Sequence, residues 1–171
     1  MADMDLVIDA DVMRSASEKE HPISSNSREV LELVRDRGHR VVHSQRIFEE
    51  HKKHESRYSS TWRVSMIARR QWISCRDEED KRLRECIRTG HGESESRVEA
   101  ALKDAHLLEV AIVCDKRIIS RDARALGLFR ELCPTLGKYR EVLWADLTGK
   151  ADETREWIKC GLPEEAGMRL C

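Results

Sequence analysis

The feature that most constrains this chain is an alternation between two hydrophobic periods. Four short apolar runs, "MDLVID", "HRVVHS", "RIIS" and "EVLWAD", each lead into a longer stretch whose apolar residues recur every three or four positions. Short runs of this kind read as buried strands, and the longer stretches read as amphipathic helices. Parallel neighbours need a crossover, and a helix supplies it, so the alternation predicts an α/β domain with a mainly parallel sheet.

Between the strands, the stretch from Ser27, "SREVLELVRDRG", places Val30, Leu31, Leu33 and Val34 on one face, with Gly38 as a stop. The polar stretch "SASEKEHPISSNS" before it reads as a loop or a broken helix. Ser44 is placed to cap "QRIFEEHKKHESRY", and "STWRVSMIARRQWISC" continues as helix by its period. The best amphipathic segment is "SRVEAALKDAHLLEVAIVCD", in which Val98, Ala101, Leu102, Ala105, Leu108 and Ile112 form the stripe. The 171 residues suit one domain, with an extended helical and charged segment at about 57–95.

The 31 basic and 32 acidic residues give a net charge of −1, which steers the whole molecule toward no particular partner. The six cysteines show no C-x-x-C pair and no zinc-like spacing. No apolar stretch approaches a membrane span, and no signal-like segment follows Met1. A reduced, soluble, cytoplasmic protein with no membrane partner is expected.

The first strand ends on Asp9-Ala10-Asp11. Ligands of parallel sheets gather at the carboxyl ends of the strands, so Asp9 is a candidate. Asp122, after "RIIS", lies at the same edge, and Asp104 stands at the border of the apolar stripe just upstream. On the helix after the second strand, Glu50 flanks the apolar side, whereas Glu49 points away. Four carboxylates on one pocket would repel and raise one another's pKa, and a hard divalent cation removes that penalty. Such a cation can activate water for attack on a phosphodiester.

In order and spacing, "LVIDADVM", "RIFEEHKKH", "LKDAHLLEVAIVCDKRIISRDARA" and "EVLWAD" resemble the PIN domain, over roughly residues 4 to 161, most specifically in "KDAHLLEVA…IISRD". The resemblance implies a three-layer α/β/α sandwich and a Mg²⁺- or Mn²⁺-dependent endoribonuclease, often homodimeric, found among toxin–antitoxin toxins and RNA-processing nucleases. It implies that Asp9, Glu50, Asp104 and Asp122 are the metal-binding acids. Ser120 matches the hydroxyl residue that bonds a carboxylate or a water. Asp11 stands where the family often has Asn, and the 57–95 segment is long for a compact toxin. An RNA substrate, an antitoxin or other protein partner, and a second copy are the partners implied.

Alternatives remain open at this level. Asp9-x-Asp11 also opens haloacid-dehalogenase-like phosphatases, with Ser44 offered as the second-strand hydroxyl, although no acidic pair of the required kind follows a later strand. A catalytically silent scaffold that binds RNA or protein, or a DNA nuclease, would share the fold. Glu109 is placed to hold an arginine or to extend the site. The pairs His39/His43 and His51/His54 lack a third strong ligand for zinc. His106 reads as pointing away from Asp104. Arg63, Arg69, Arg70, Arg76, Arg82, Arg84 and Arg88, with Trp62 and Trp72, suggest either an RNA-contacting region or a salt-bridged surface. Trp62, Met66, Ile67 and Ile73 offer a possible partner surface.

Overall fold

A computed structural model describes residues 3–171. Five strands, β1 (Asp5–Ile8), β2 (Arg40–His43), β3 (Trp72–Ser74), β4 (Arg117–Ser120) and β5 (Leu143–Asp146), form one sheet in the order β3-β2-β1-β4-β5. Every strand pair is parallel, with Leu6 opposite Val41 and Ile8 opposite Ile119. The chain leaves β1 toward β2 on one side and later places β4 on the other. The order therefore reverses at β1, where parallel sheets open a crevice for ligands.

The side chains of β1, β2, β4 and β5 alternate between two buried clusters, which makes the architecture a three-layer α/β/α sandwich. Val7, Val42, Ile118 and Trp144 point into one layer. That layer is covered by α3 (Gln45–His54), α5 (Lys81–Gly90), α6 (Glu95–Ala111) and α7 (Ala123–Glu131) through Ile47, Ile87, Leu108 and Phe129. Leu6, Ile8, Val41, Ile119 and Ala145 point the other way. There α1 (Ala10–Ser15), α2 (Pro22–Asp36), α4 (Arg57–Ala68) and α8 (Ala151–Lys159) pack through Met13, Leu31, Trp62 and Trp157. Strands buried on both faces read as continuous apolar runs.

Three stretches differ from the sequence expectation. Helix α2 starts at Pro22 rather than near Ser27, because proline suits the first helical position and the His21 ring accepts from the Ile23 amide. The expected helix over "STWRVSMIARRQWISC" stops at Ala68. Arg70 takes the left-handed conformation (φ 59°), and "WIS" becomes the edge strand β3 beside β2. The Gln71 amide clamps that turn by donating to the Arg35 and His39 carbonyls. Finally, α6 is more than amphipathic, since every residue from Ala105 to Ala111 is buried among its neighbours.

The expectation of reduced cysteines is also corrected. Cys133 and Cys171 are joined in a disulfide, with Cα atoms 5.6 Å apart and a sequence separation of 38. Spacing gave no hint of it, because the pairing follows from topology. Arg169 bridges antiparallel to Leu143, and the Leu170 amide donates to Val142. The segment 169–170 thus lies along the outer edge of β5 and delivers Cys171 to the end of α7. Among the described residues no helix is long and apolar enough to cross a membrane.

Closing this loop restricts the unfolded chain. Cys171→Ser is expected to lower unfolding stability by about 2–4 kcal/mol. Urea unfolding with and without reductant checks this, and reductant should bring the parent down to the variant while leaving the variant unchanged.

Candidate acidic site at the sheet's switch point

Strand β1 delivers Asp9 to the crevice, and β4 delivers Ser120 beside it. The Asp9 amide donates to the Ile119 carbonyl (3.0 Å), so the ends of the two strands are in register. The Ser120 hydroxyl donates to Asp9 Oδ2 at 2.6 Å and accepts from the Asp122 amide at 2.9 Å. One buried hydroxyl therefore fixes both carboxylate-bearing turns. Asp122 Oδ1 caps α7 by accepting from the Ala125 amide at 2.8 Å. Asp9 caps α1 more loosely, accepting from the Asp11 amide at 3.4 Å.

Asp104 reaches the same region from α6. Burial, followed by the charges of Asp9 and Asp122, pushes its carboxyl up to about 6 from an ordinary 3.8. Asp9 is raised as well, first by burial, against the lowering effect of the Ser120 hydrogen bond. The structure thus brings Asp9, Asp104, Asp122 and Ser120 together.

Glu50 stands one step away. Its Oε2 lies 3.1 Å from His106 Nε2 and its Oε1 lies 3.6 Å from Arg46 Nε. Burial opposes its ionisation, but the His106 contact and the nearby positive charges win, holding it below the usual range. His106 is the residue that sequence reasoning missed. It is 4% exposed, and its Nδ1 donates to the Lys103 carbonyl at 2.8 Å. Its Nε2 is at ion-pair distance from Glu50 without aiming squarely at the oxygen. Because the second half of α6 is buried all round, a residue two positions from Asp104 still faces a neighbour, α3, rather than solvent.

The remaining candidates are engaged elsewhere. Asp11 pairs with Arg14 at 2.9 Å. Glu109 is clamped by the Arg84 guanidinium at 2.9 and 3.0 Å and accepts from the Asp80 amide, which ties α5 to α6. His51 is fully buried and His54 exposed, so the two do not form a pair. His51 Nε2 donates to the Ile8 carbonyl at 2.7 Å, and burial holds its pKa down to about 4. Trp62 is 2% exposed and donates to the Leu31 carbonyl, so it offers no base-stacking face. Arg63 and Arg84 are committed to Glu55 and Glu109.

Beside the acids, a groove of about 640 Å³ is lined by Arg46, Arg76, Arg84, Lys138, Tyr139 and His106, among others. Asp9, Asp104 and Asp122 are not in its walls. Among the described residues, no three His, Cys, Asp or Glu side chains stand close enough to hold a metal ion as they are. The donor chemistry nevertheless suits a hard cation: burial raises the carboxyls of Asp9 and Asp104, the charges of Asp9 and Asp122 raise Asp104 further, and a divalent ion would favour the ionised forms. No family model matches the chain, and no curated protein or solved structure matches it.

The Asp104 shift has a defined sign. Its folded pKa lies above the unfolded value, so its penalty is absent where the carboxyl is protonated, below about 4, and grows as pH rises through about 6. Asp104→Asn is expected to raise stability by about 1–3 kcal/mol at neutral pH and to gain little near pH 4. Thermal or urea unfolding of both proteins across that range measures the difference.

Proposed function

We propose that this chain is a metal-dependent nuclease of the PIN type, acting on RNA as an endoribonuclease. The observation that supports it is the convergence of Asp9, Asp104 and Asp122 at the β1/β4 switch point, with Asp104 pushed up to about 6. Helix capping accounts for Asp9 and Asp122 but gives no reason for a third half-buried carboxylate, Asp104, set against them, and that arrangement supports a site kept for chemistry.

In this reading Asp9, Asp104 and Asp122 hold Mg²⁺ or Mn²⁺, and Glu50 completes the acidic pocket. An ion held there would supply Lewis-acid chemistry, activating a water and offsetting charge on a phosphate. The chain's own groups set the geometry. Ser120 engages Asp9 Oδ2 and leaves Oδ1 with only the long contact from the Asp11 amide. Asp122 spends Oδ1 on its helix cap and keeps Oδ2 for a ligand. His106 and Arg46 hold Glu50 ionised and turned inward. A toxin paired with an antitoxin, or an RNA-processing enzyme, fits this chemistry equally.

A second reading, a silent scaffold that binds RNA or protein, is favoured by one observation: the acids are not closed into a ready-made metal site. Cleavage of labelled single-stranded RNA and DNA with Mn²⁺, Mg²⁺ or EDTA, alongside calorimetry with Mn²⁺, separates the two. Metal-dependent cutting of RNA is expected. Asp122→Asn should reduce it by roughly 100-fold or more, beyond the loss typical of an outer-shell partner. Asparagine also caps helices, so the fold should persist in that variant. Full activity in it would refute the assignment, and absence of both cutting and Mn²⁺ binding would favour the scaffold.

A further inference from the structure

Strand β4 carries polar chemistry at both ends. Its last residue, Ser120, serves the acids, whereas its first, Arg117, is 7% exposed and opens on a smaller cavity. Arg117 Nε donates to the Leu162 carbonyl at 2.7 Å, and its Nη1 donates to the Asp115 carbonyl. A guanidinium has five N–H donors, so these bonds leave part of it unspent. Among the described residues Arg117 forms no ion pair. Buried charges are ordinarily paired, because leaving water penalises them. Burial accordingly pushes the Arg117 guanidinium down from its ordinary range, against the weaker pull of Asp115 and Glu164.

The cavity has a volume of about 180 Å³ and is lined by Asp115, Lys116, Arg117, Glu141, Glu164 and Arg169, among others. Its carboxylates are already engaged. Glu141 lies 2.6 Å from Lys116 Nζ, Glu164 lies 3.5 Å from Arg169 Nη2, and Asp115 Oδ2 accepts from the Asp5 amide at 2.7 Å. The backbone is unusual at the same place. Of three non-glycine residues in the left-handed region, Lys116 (φ 59°) stands in the wall and Leu162 (φ 56°) supplies the carbonyl that holds Arg117. Conformations that side chains resist persist where the surroundings impose them, and they gather at ligand sites.

We infer that this cavity binds a small tetrahedral oxyanion, either free phosphate or the phosphate end of a small ester, on the Arg117 guanidinium with Lys116 and Arg169 at its sides. A guanidinium fork matches two phosphate oxygens at once. Lys116 and Arg169 are about half exposed, and so are their pairs with Glu141 and Glu164, which makes redirecting them to an anion cheap. The volume lies below the range that encloses drug-sized ligands, so it suits a phosphate group better than a nucleotide. Arg169 belongs to the segment that Cys171 pins to Cys133, so the disulfide fixes one wall. Asp9 and Asp122 lie at the opposite end of the strands, and the inference stands apart from the nuclease reading.

Titration calorimetry of the oxidised full chain with inorganic phosphate, and separately with glycerol 3-phosphate, tests this. A dissociation constant below about 1 mM is expected for phosphate. Glycerol 3-phosphate bound at least as tightly points to an ester as the occupant, and weaker binding points to the free ion. Arg117→Gln should weaken phosphate binding roughly tenfold or more, and Arg169→Gln, whose side chain is half exposed, roughly threefold or more. Asp122→Asn should leave the affinity unchanged. Absence of binding by either probe at about 10 mM overturns the inference, as does parent-like affinity in a folded Arg117→Gln. If Arg117→Gln does not fold, parent-like affinity in Arg169→Gln overturns it. Loss of binding in Asp122→Asn would place the anion at the acids and overturn it too.

Discussion

The hydroxyl of Ser120 is the contact on which the rest of the site depends. β1 and β4 are neighbours at the point where the strand order reverses, and each ends in a turn carrying an aspartate. Ser120 donates to Asp9 and accepts from the Asp122 amide, so one side chain holds both turns together. Two helix caps, on α1 and α7, follow from the same geometry, because each aspartate also satisfies the first turn of the next helix. Fold and site are here a single set of bonds.

The second determinant is α6. Its latter half is enclosed by α3, α5, α7 and the sheet, so polar residues on it must find partners inside the protein. Glu109 finds Arg84 and the start of α5, and His106 finds Glu50 on α3. Asp104 alone meets like charges. The same rigid helix thus ties neighbouring layers together and carries a carboxyl whose ionisation the fold resists.

Much of this was legible in the sequence, and the parts that were not share a cause. Strands β1, β2, β4 and β5 announce themselves because burial on both faces makes them plainly apolar. β3 does not, since "WIS" at a half-covered edge carries too few residues to break the helical period of "WRVSMIARRQWIS". Asp9 and Asp122 could be placed by the rule that ligands gather at strand ends. His106 could not, because an amphipathic wheel assumes one solvated face and α6 has none beyond Asp104. The Cys133–Cys171 pair depends on where residues 169–171 run, and no local spacing encodes that.

The neutral imidazole of His51, buried under the carbonyl that precedes Asp9, bears on how the molecule responds to acid. Its folded pKa of about 4 lies below its ordinary 6.5, so between those values the unfolded chain takes up a proton that the folded one refuses. Asp104 does the reverse between 3.8 and about 6. By linkage each contributes a slope near 1.4 kcal/mol per pH unit, and the two slopes have opposite sign. Over the interval they share, these two contributions oppose one another. The acidic pocket and the histidine beneath it therefore pull the pH dependence of stability in opposite directions under mildly acidic conditions.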